Sequence, residues 1–259
     1  MLEKARYIVV EGPIGAGKTT LAKRLAERIN ADVLLENPAA NPFLGRFYQN
    51  MERWGLPTQI AFLFQRSEQL LGFSQHHDPA RRVVSDFLLE KDPLFAQLNL
   101  DEDEFQLYLK LYERLKPSLR RPDLVIYLQA QPDILIDRVR RRGVEAERRM
   151  SEAYLQRVAE RYANFFHHYD AAPLFIVNAE SLNPVDKDED FELLYSRLQA
   201  MRSYREFDKL GVLYNPAEAN SQAIVQSLRQ YGQEHGKQIL ALGVSPSAQE
   251  LEAQIEALS

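Results

Sequence analysis

One short run constrains this chain more than any other feature. Gly12-Pro13-Ile14-Gly15-Ala16-Gly17-Lys18-Thr19, with Thr20 next, fits the pattern G-x-x-x-x-G-K-[ST]. Such a loop needs a strand before it and a helix after it. Backbone N–H groups then turn inward while the helix points its positive end at the same spot. Both flanks are present: residues 6–11 (RYIVVE) are a short β-rich apolar run. From residue 18 to 29, Leu21, Ala22, Leu25, Ala26 and Ile29 recur at helical spacing. The bland alternative, a chance glycine turn, would need neither flank. The residues Gly12 to Thr20 therefore predict a nucleotide phosphate site, with Lys18 on the β- and γ-phosphates and the Thr19 hydroxyl on magnesium. The loop alone does not choose between a kinase, a GTPase and a motor.

The pattern beyond the loop predicts an α/β fold. Further strands are expected at residues 33–36, 82–86, 123–129 and 174–178, each a short apolar run. Helical spacing is read in residues 103–115, 132–142, 152–169 and 191–207, and residues 41–75 are helix-rich with a break near Gly55 and Pro57. Strands alternating with helices imply a five-stranded parallel sheet covered on both faces, the three-layer sandwich of P-loop NTPases. All 13 phenylalanines lie before residue 210, where the composition turns glutamine- and alanine-rich. Residues 1–208 are thus expected to be the P-loop domain, and 209–259 a small βαβα extension. Its parts are strands at 211–215 and 238–244, a helix at 218–235 and a last helix after them.

Composition excludes several classes. The chain of 259 residues has no cysteine, so neither disulfides nor thiolate metal sites are possible. Its net charge of −5 argues against a general nucleic-acid polymer binder. No run approaches the ~18 apolar residues of a membrane span, and the N-terminal apolar stretch is short for a secretory signal. Cytoplasm is the expected location. His76-His77 and His167-His168 are adjacent pairs, which point about 100° apart on a helix and read as exposed helix-end residues rather than metal ligands.

No guanine-reading N-K-x-D follows the loop, which weakens the GTPase reading. Glu36-Asn37-Pro38 lies at the end of the second strand, where open α/β sheets bind ligands. Tyr48, Glu52-Arg53-Trp54, Gln59 and Arg66 then follow at a spacing that resembles the deoxynucleoside kinases over residues 5 to 205. The resemblance implies transfer of the ATP γ-phosphate to the 5′-hydroxyl of a deoxynucleoside. A carboxylate at Glu36 would accept the hydroxyl proton. Gln59 and Arg66 would read the base, and Tyr48 would touch the sugar 3′-hydroxyl. Arg138 and Arg142 resemble lid arginines that close over the phosphates, with Arg140 and Arg141 better explained as a solvated helix end. Glu147 matches the lid glutamate that meets the 3′-hydroxyl, and Asp92 an acid that helps Arg66 choose the base. Trp54, Phe62 and Phe73 could stack on the base, although plain core is the commoner use.

Two positions depart from the family pattern. Where an acid-Arg-Ser triplet is usual, the chain reads Ser85-Asp86-Phe87. Asp86 keeps a carboxylate for magnesium, but the arginine's role must pass to Arg81, Arg82, a lid arginine or none. Val144 stands where a third lid arginine is often found. The stretches Asn41-Pro42-Phe43-Leu44 and Asp86 to Asp92 resemble bacterial purine-type members, so deoxyadenosine or deoxyguanosine is the expected acceptor. The resemblance also implies a homodimer built on helices between residues 41 and 115. A thymidylate-type monophosphate kinase and a non-catalytic nucleotide sensor stay open as alternatives. Residues 211–259, especially 211–221, resemble part of a substrate-binding protein of ABC importers, too short a piece to form a ligand cleft.

Overall fold

The computed structural model describes residues 2–78, 80–116, 121–180, 182–201, 209–214, 219–234, 236 and 238–243. The chain divides into two compact units, Met1–Ser203 and Tyr204–Ser259.

The first unit opens with β1 (Tyr7–Glu11), α1 (Lys18–Ile29), β2 (Asp32–Leu34), the short α2 (Leu44–Phe47) and the long α3 (Met51–His76). It continues through β3 (Val83–Ser85), α4 (Asp92–Asn99), α5 (Glu102–Leu115), β4 (Leu124–Gln129) and α6 (Pro132–Arg142). α7 (Glu152–His167), β5 (Leu174–Asn178) and α8 (Asp188–Ala200) complete it. The five strands form one parallel sheet in the order β2-β3-β1-β4-β5. Alternation along the strands splits the core in two. Ile8, Val10, Leu124, Ile126 and Leu128 face one cluster with α1, α6 and α8. Val9, Val125 and Tyr127 face the other with Leu94 of α4 and Tyr154, Val158, Tyr162 and Phe166 of α7. A third cluster ties Leu63 and Leu70 of α3 to Tyr108 and Tyr112 of α5 and to β2 and β3. This is the expected three-layer α/β arrangement.

Three details differ from the sequence reading. α3 runs unbroken through Gly55 and Pro57. Pro57 lies in its second turn, so the bond its N–H would have given to the Arg53 carbonyl is the one the helix forgoes. Gly55 is there for a close approach: a Cβ would stand 2.7 Å from the Asn99 carbonyl oxygen. The helix expected at 191–207 begins earlier, at Asp188, and ends at Ala200. α4 was not foreseen, because eight residues containing a proline give little helical period to read. α5 starts on a capping box, Asp101 accepting from the Glu104 N–H at 2.9 Å.

The second unit contains β6 (Lys209–Tyr214), α9 (Ala219–Glu234) and β7 (Gln238–Gly243). β6 and β7 pair in parallel from Lys209↔Gln238 to Tyr214↔Gly243. The expected last helix lies outside the described residues.

Candidate active site

The strand order delivers the site. β2, β3 and β1 are neighbours, and their carboxyl ends present, side by side, Glu36, Asp86 and the loop that starts at Gly12. The loop closes on itself through a 3.1 Å bond from the Ala16 N–H to the Pro13 carbonyl. Gly17, the N-cap of α1, has φ 94°, and a Cβ there would meet Val185 Cγ2 at 2.5 Å. Only glycine satisfies both demands. No acidic residue occupies the first turn of α1, so its positive end is left for an anion. Lys18 Nζ donates to the carbonyls of Gly12 (2.8 Å) and Pro13 (3.1 Å), folded back over its own loop. Burial pushes its ammonium down, against the opposing pull of the nearby carboxylates of Glu11, Glu36 and Asp86.

Asp86, 2% exposed, joins the two sides of the cleft. Its Oδ2 accepts from the Thr19 hydroxyl at 2.5 Å and its Oδ1 from the Glu36 backbone N–H at 2.7 Å. Glu36 in turn meets Arg66, whose Nε donates to Oε1 at 2.5 Å, and Arg66 Nη2 contacts the same oxygen. The far end of Arg66 pairs with Asp92, so one guanidinium links two acids. Burial would raise the Glu36 carboxyl, but Arg66, Lys91 and Lys18 outweigh it and hold it down to about 2.

A cavity of about 90 Å³ brings Lys18 of the phosphate loop together with the predicted acceptor residues Glu36, Tyr48, Gln59, Arg66 and Glu147, all of which line it. Asp92 stands behind Arg66. Tyr48 packs edge-on to Tyr154 at 6.3 Å, and burial pushes its phenol well up, with Tyr154 and Glu147 adding to the rise. Phe62 lines the cavity beneath the Arg66 guanidinium, 4.7 Å from its ring centre. The other two aromatic candidates are elsewhere. Trp54 stacks on Phe43 under Arg46, and Phe73 stacks on His77 at 4.2 Å. His77 is not simply exposed, since its Nδ1 lies 3.2 Å from Asp32 Oδ2.

The basic end of α6 divides. Arg138, Arg141 and Arg142 line a second cavity, of about 290 Å³, against Gly15, Ala16 and Gly17 of the loop. Arg138 donates to the Ala179 carbonyl at 2.9 Å, and Arg142 pairs with Glu147 at 2.5 Å. Arg140 points away to Glu152, as a solvated helix end should. Arg141, grouped with it from the sequence, instead borders the loop.

Two residues at the site were missed. Glu11, fully buried at the end of β1, accepts from the Gly12 N–H at 2.8 Å, the Leu88 N–H at 3.1 Å and the Tyr162 hydroxyl at 3.1 Å. Lys91, 2% exposed, places Nζ 2.7 Å from Glu11 Oε1. A signal existed: a lone acid inside the apolar run RYIVVE must find a partner if the strand is buried.

The deoxynucleoside kinase family model matches residues 8–201. This chain belongs to the deoxynucleoside kinases. Among its relatives, the deoxyguanosine kinase of Bacillus subtilis strain 168 is 29% identical over 205 residues, 77% of this chain and 99% of the relative. The deoxyadenosine kinase of Dictyostelium discoideum is 31% identical over 205 residues, covering 76% of this kinase and 80% of the relative. A solved deoxyadenosine kinase from M. mycoides with bound dATP superposes with a TM-score of 0.65 at 26% identity, over 75% of this chain and 99% of that one. Family membership makes this kinase a phosphotransferase. The matched region ends at residue 201, so the second unit lies outside it. No helix among the described residues is long and apolar enough to cross a membrane.

Proposed function

We propose that this kinase phosphorylates the 5′-hydroxyl of deoxyadenosine or deoxyguanosine with ATP, in the cytoplasm, as a step of nucleotide salvage. The observation that carries the reading is the single cavity in which Lys18, Glu36, Tyr48, Gln59, Arg66 and Glu147 meet. The names of most of the relatives support a purine, and Gln59 and Arg66 on one face of α3 support base reading, since an amide and a guanidinium can pair with the edges of a purine or a pyrimidine. In this reading the 5′-oxygen bonds to the γ-phosphorus as the bond to the β–γ bridging oxygen breaks. ADP leaves with that electron pair, and the hydroxyl proton passes to Glu36. Arg66, Lys91 and Lys18 keep the Glu36 carboxyl in its ionised, proton-accepting form. Tyr48 and Glu147 take the 3′-hydroxyl, Asp92 braces Arg66, and Arg138 and Arg142 gather the phosphate charge.

Magnesium fits the residues present. The Thr19 hydroxyl and the Asp86 carboxylate are adjacent oxygen donors beside the phosphate loop. Magnesium is usually held by one or two such groups plus substrate phosphates and water. It would neutralise charge on the β- and γ-phosphates.

Side-by-side turnover of the four deoxynucleosides with ATP and magnesium tests the assignment. A purine deoxynucleoside should win by at least tenfold, and equal rates on pyrimidines, or faster transfer to a deoxynucleoside monophosphate, would overturn it. Exposed Phe64 and Leu71 on α3 and Leu107 on α5 support a homodimer through these helices. A monomer mass by light scattering at micromolar concentration would refute that. The second unit we read as an extension without a transport role.

A further inference from the structure

The family's usual arginine after the third strand is absent here, and the obvious substitutes are engaged elsewhere. Arg81 Nη2 pairs with Asp32 at 2.7 Å, and Arg82 donates to the Glu3 carbonyl. Neither lines the acceptor cavity. Among the lid arginines, Arg138 is bonded to the Ala179 carbonyl and Arg142 to Glu147.

Lys91 is placed differently. It lines the acceptor cavity, is 2% exposed, and stands 3.9 Å from Oε2 of Glu36. Arg66 occupies Oε1 of that carboxylate, so Oε2 is the oxygen left to face an acceptor. Glu11 holds the ammonium from behind at 2.7 Å, and Glu11 itself is fixed by the Gly12 and Leu88 N–H groups and the Tyr162 hydroxyl. A buried ion pair is a poor device for stability alone, because desolvation offsets its attraction and an apolar pair would serve as well. Its placement beside the acid gives it a second use.

We propose that Lys91 takes the place of the missing arginine as a positioning residue: held by Glu11, its ammonium fixes Oε2 of Glu36, the oxygen that receives the acceptor hydroxyl's proton. This rests on the kinase reading above. A positioned acid matters most in the transition state, so removing Lys91 lowers kcat and leaves both KM values nearly intact.

The test compares parent, Lys91→Gln, Lys91→Arg and the double variant Glu11→Gln/Lys91→Met, each checked for folding by circular dichroism. Gln keeps a neutral donor for Glu11 but leaves its charge without a counter-ion, whereas the double variant removes both buried charges and leaves no unpaired ion. We expect kcat to fall at least 30-fold in both, with KM for ATP and for the deoxynucleoside within threefold of the parent. Lys91→Arg should recover at least tenfold over Lys91→Gln. A folded double variant with kcat within threefold of the parent would show that Lys91 only balances Glu11, and the proposal falls. A rise in KM with kcat unchanged sinks it equally. Parent turnover is the control: its absence would count against the kinase reading, whereas an active parent with equally active variants counts against Lys91 alone.

Discussion

Arg66 Nε donates to Glu36 Oε1 at 2.5 Å while its other end pairs with Asp92, so the acceptor acid is held by a base-reading candidate. Glu36→Gln keeps the shape and an oxygen acceptor for Arg66 but loses the proton acceptor. We expect kcat to fall by about 10²–10⁴, the usual contribution of a general base. Deoxynucleoside affinity, measured by calorimetry, should change by less than about threefold. An unchanged kcat would remove Glu36 from the chemistry.

Acid stability follows from the same carboxyl. Held to about 2 against an ordinary 4.5, it contributes stability that is present above 4.5 and lost as pH falls toward 2. Its side chain is only 13% exposed, so the contribution is on the order of 3 kcal/mol. Urea midpoints at pH 7, about 4 and about 2.5 should drop more steeply for the parent than for Glu36→Gln. Parallel curves would contradict this.

Lys18 makes an opposite prediction for stability and for activity. Its ammonium is pushed down by burial, so the folded chain bears a cost in keeping it charged. Lys18→Met should therefore melt at the same temperature as the parent or higher, while phosphoryl transfer falls by about 10² or more. A folded Lys18→Met variant with parental turnover would defeat the phosphate-loop assignment.

Removing residues 209–259 should leave kcat and both KM values within about twofold. Every residue placed in the two cavities lies within Met1–Ser203, and the family match ends at residue 201. Lost turnover in a truncated chain with a native circular dichroism spectrum would give the second unit a role in the kinase.

The sheet and most helices were legible because their signals are local. α6 and β5 fall where their apolar spacing puts them, and the loop announces its own strand and helix. Tyr48, Gln59, Arg66 and Glu147 were legible only through spacing along a family pattern, and they meet in one cavity although only Gln59 and Arg66 lie on the continuous α3. Continuity itself was not readable, since Gly55 and Pro57 look like a break until Asn99 is known to press against the helix. Glu11 and Lys91 escaped for a different reason. Their meaning lies in a pairing across 80 positions (91 minus 11), and no local period reports a long-range ion pair. Arg141 and Arg140 are neighbours in sequence with different destinations, which only the direction of α6 decides.

Asp86 spends one oxygen on Thr19 and the other on the backbone of Glu36. The donor half and the acceptor half of the cleft therefore share a single pivot. A substitution at Asp86 would thus disturb the phosphate loop and the Glu36 backbone together, and not one without the other.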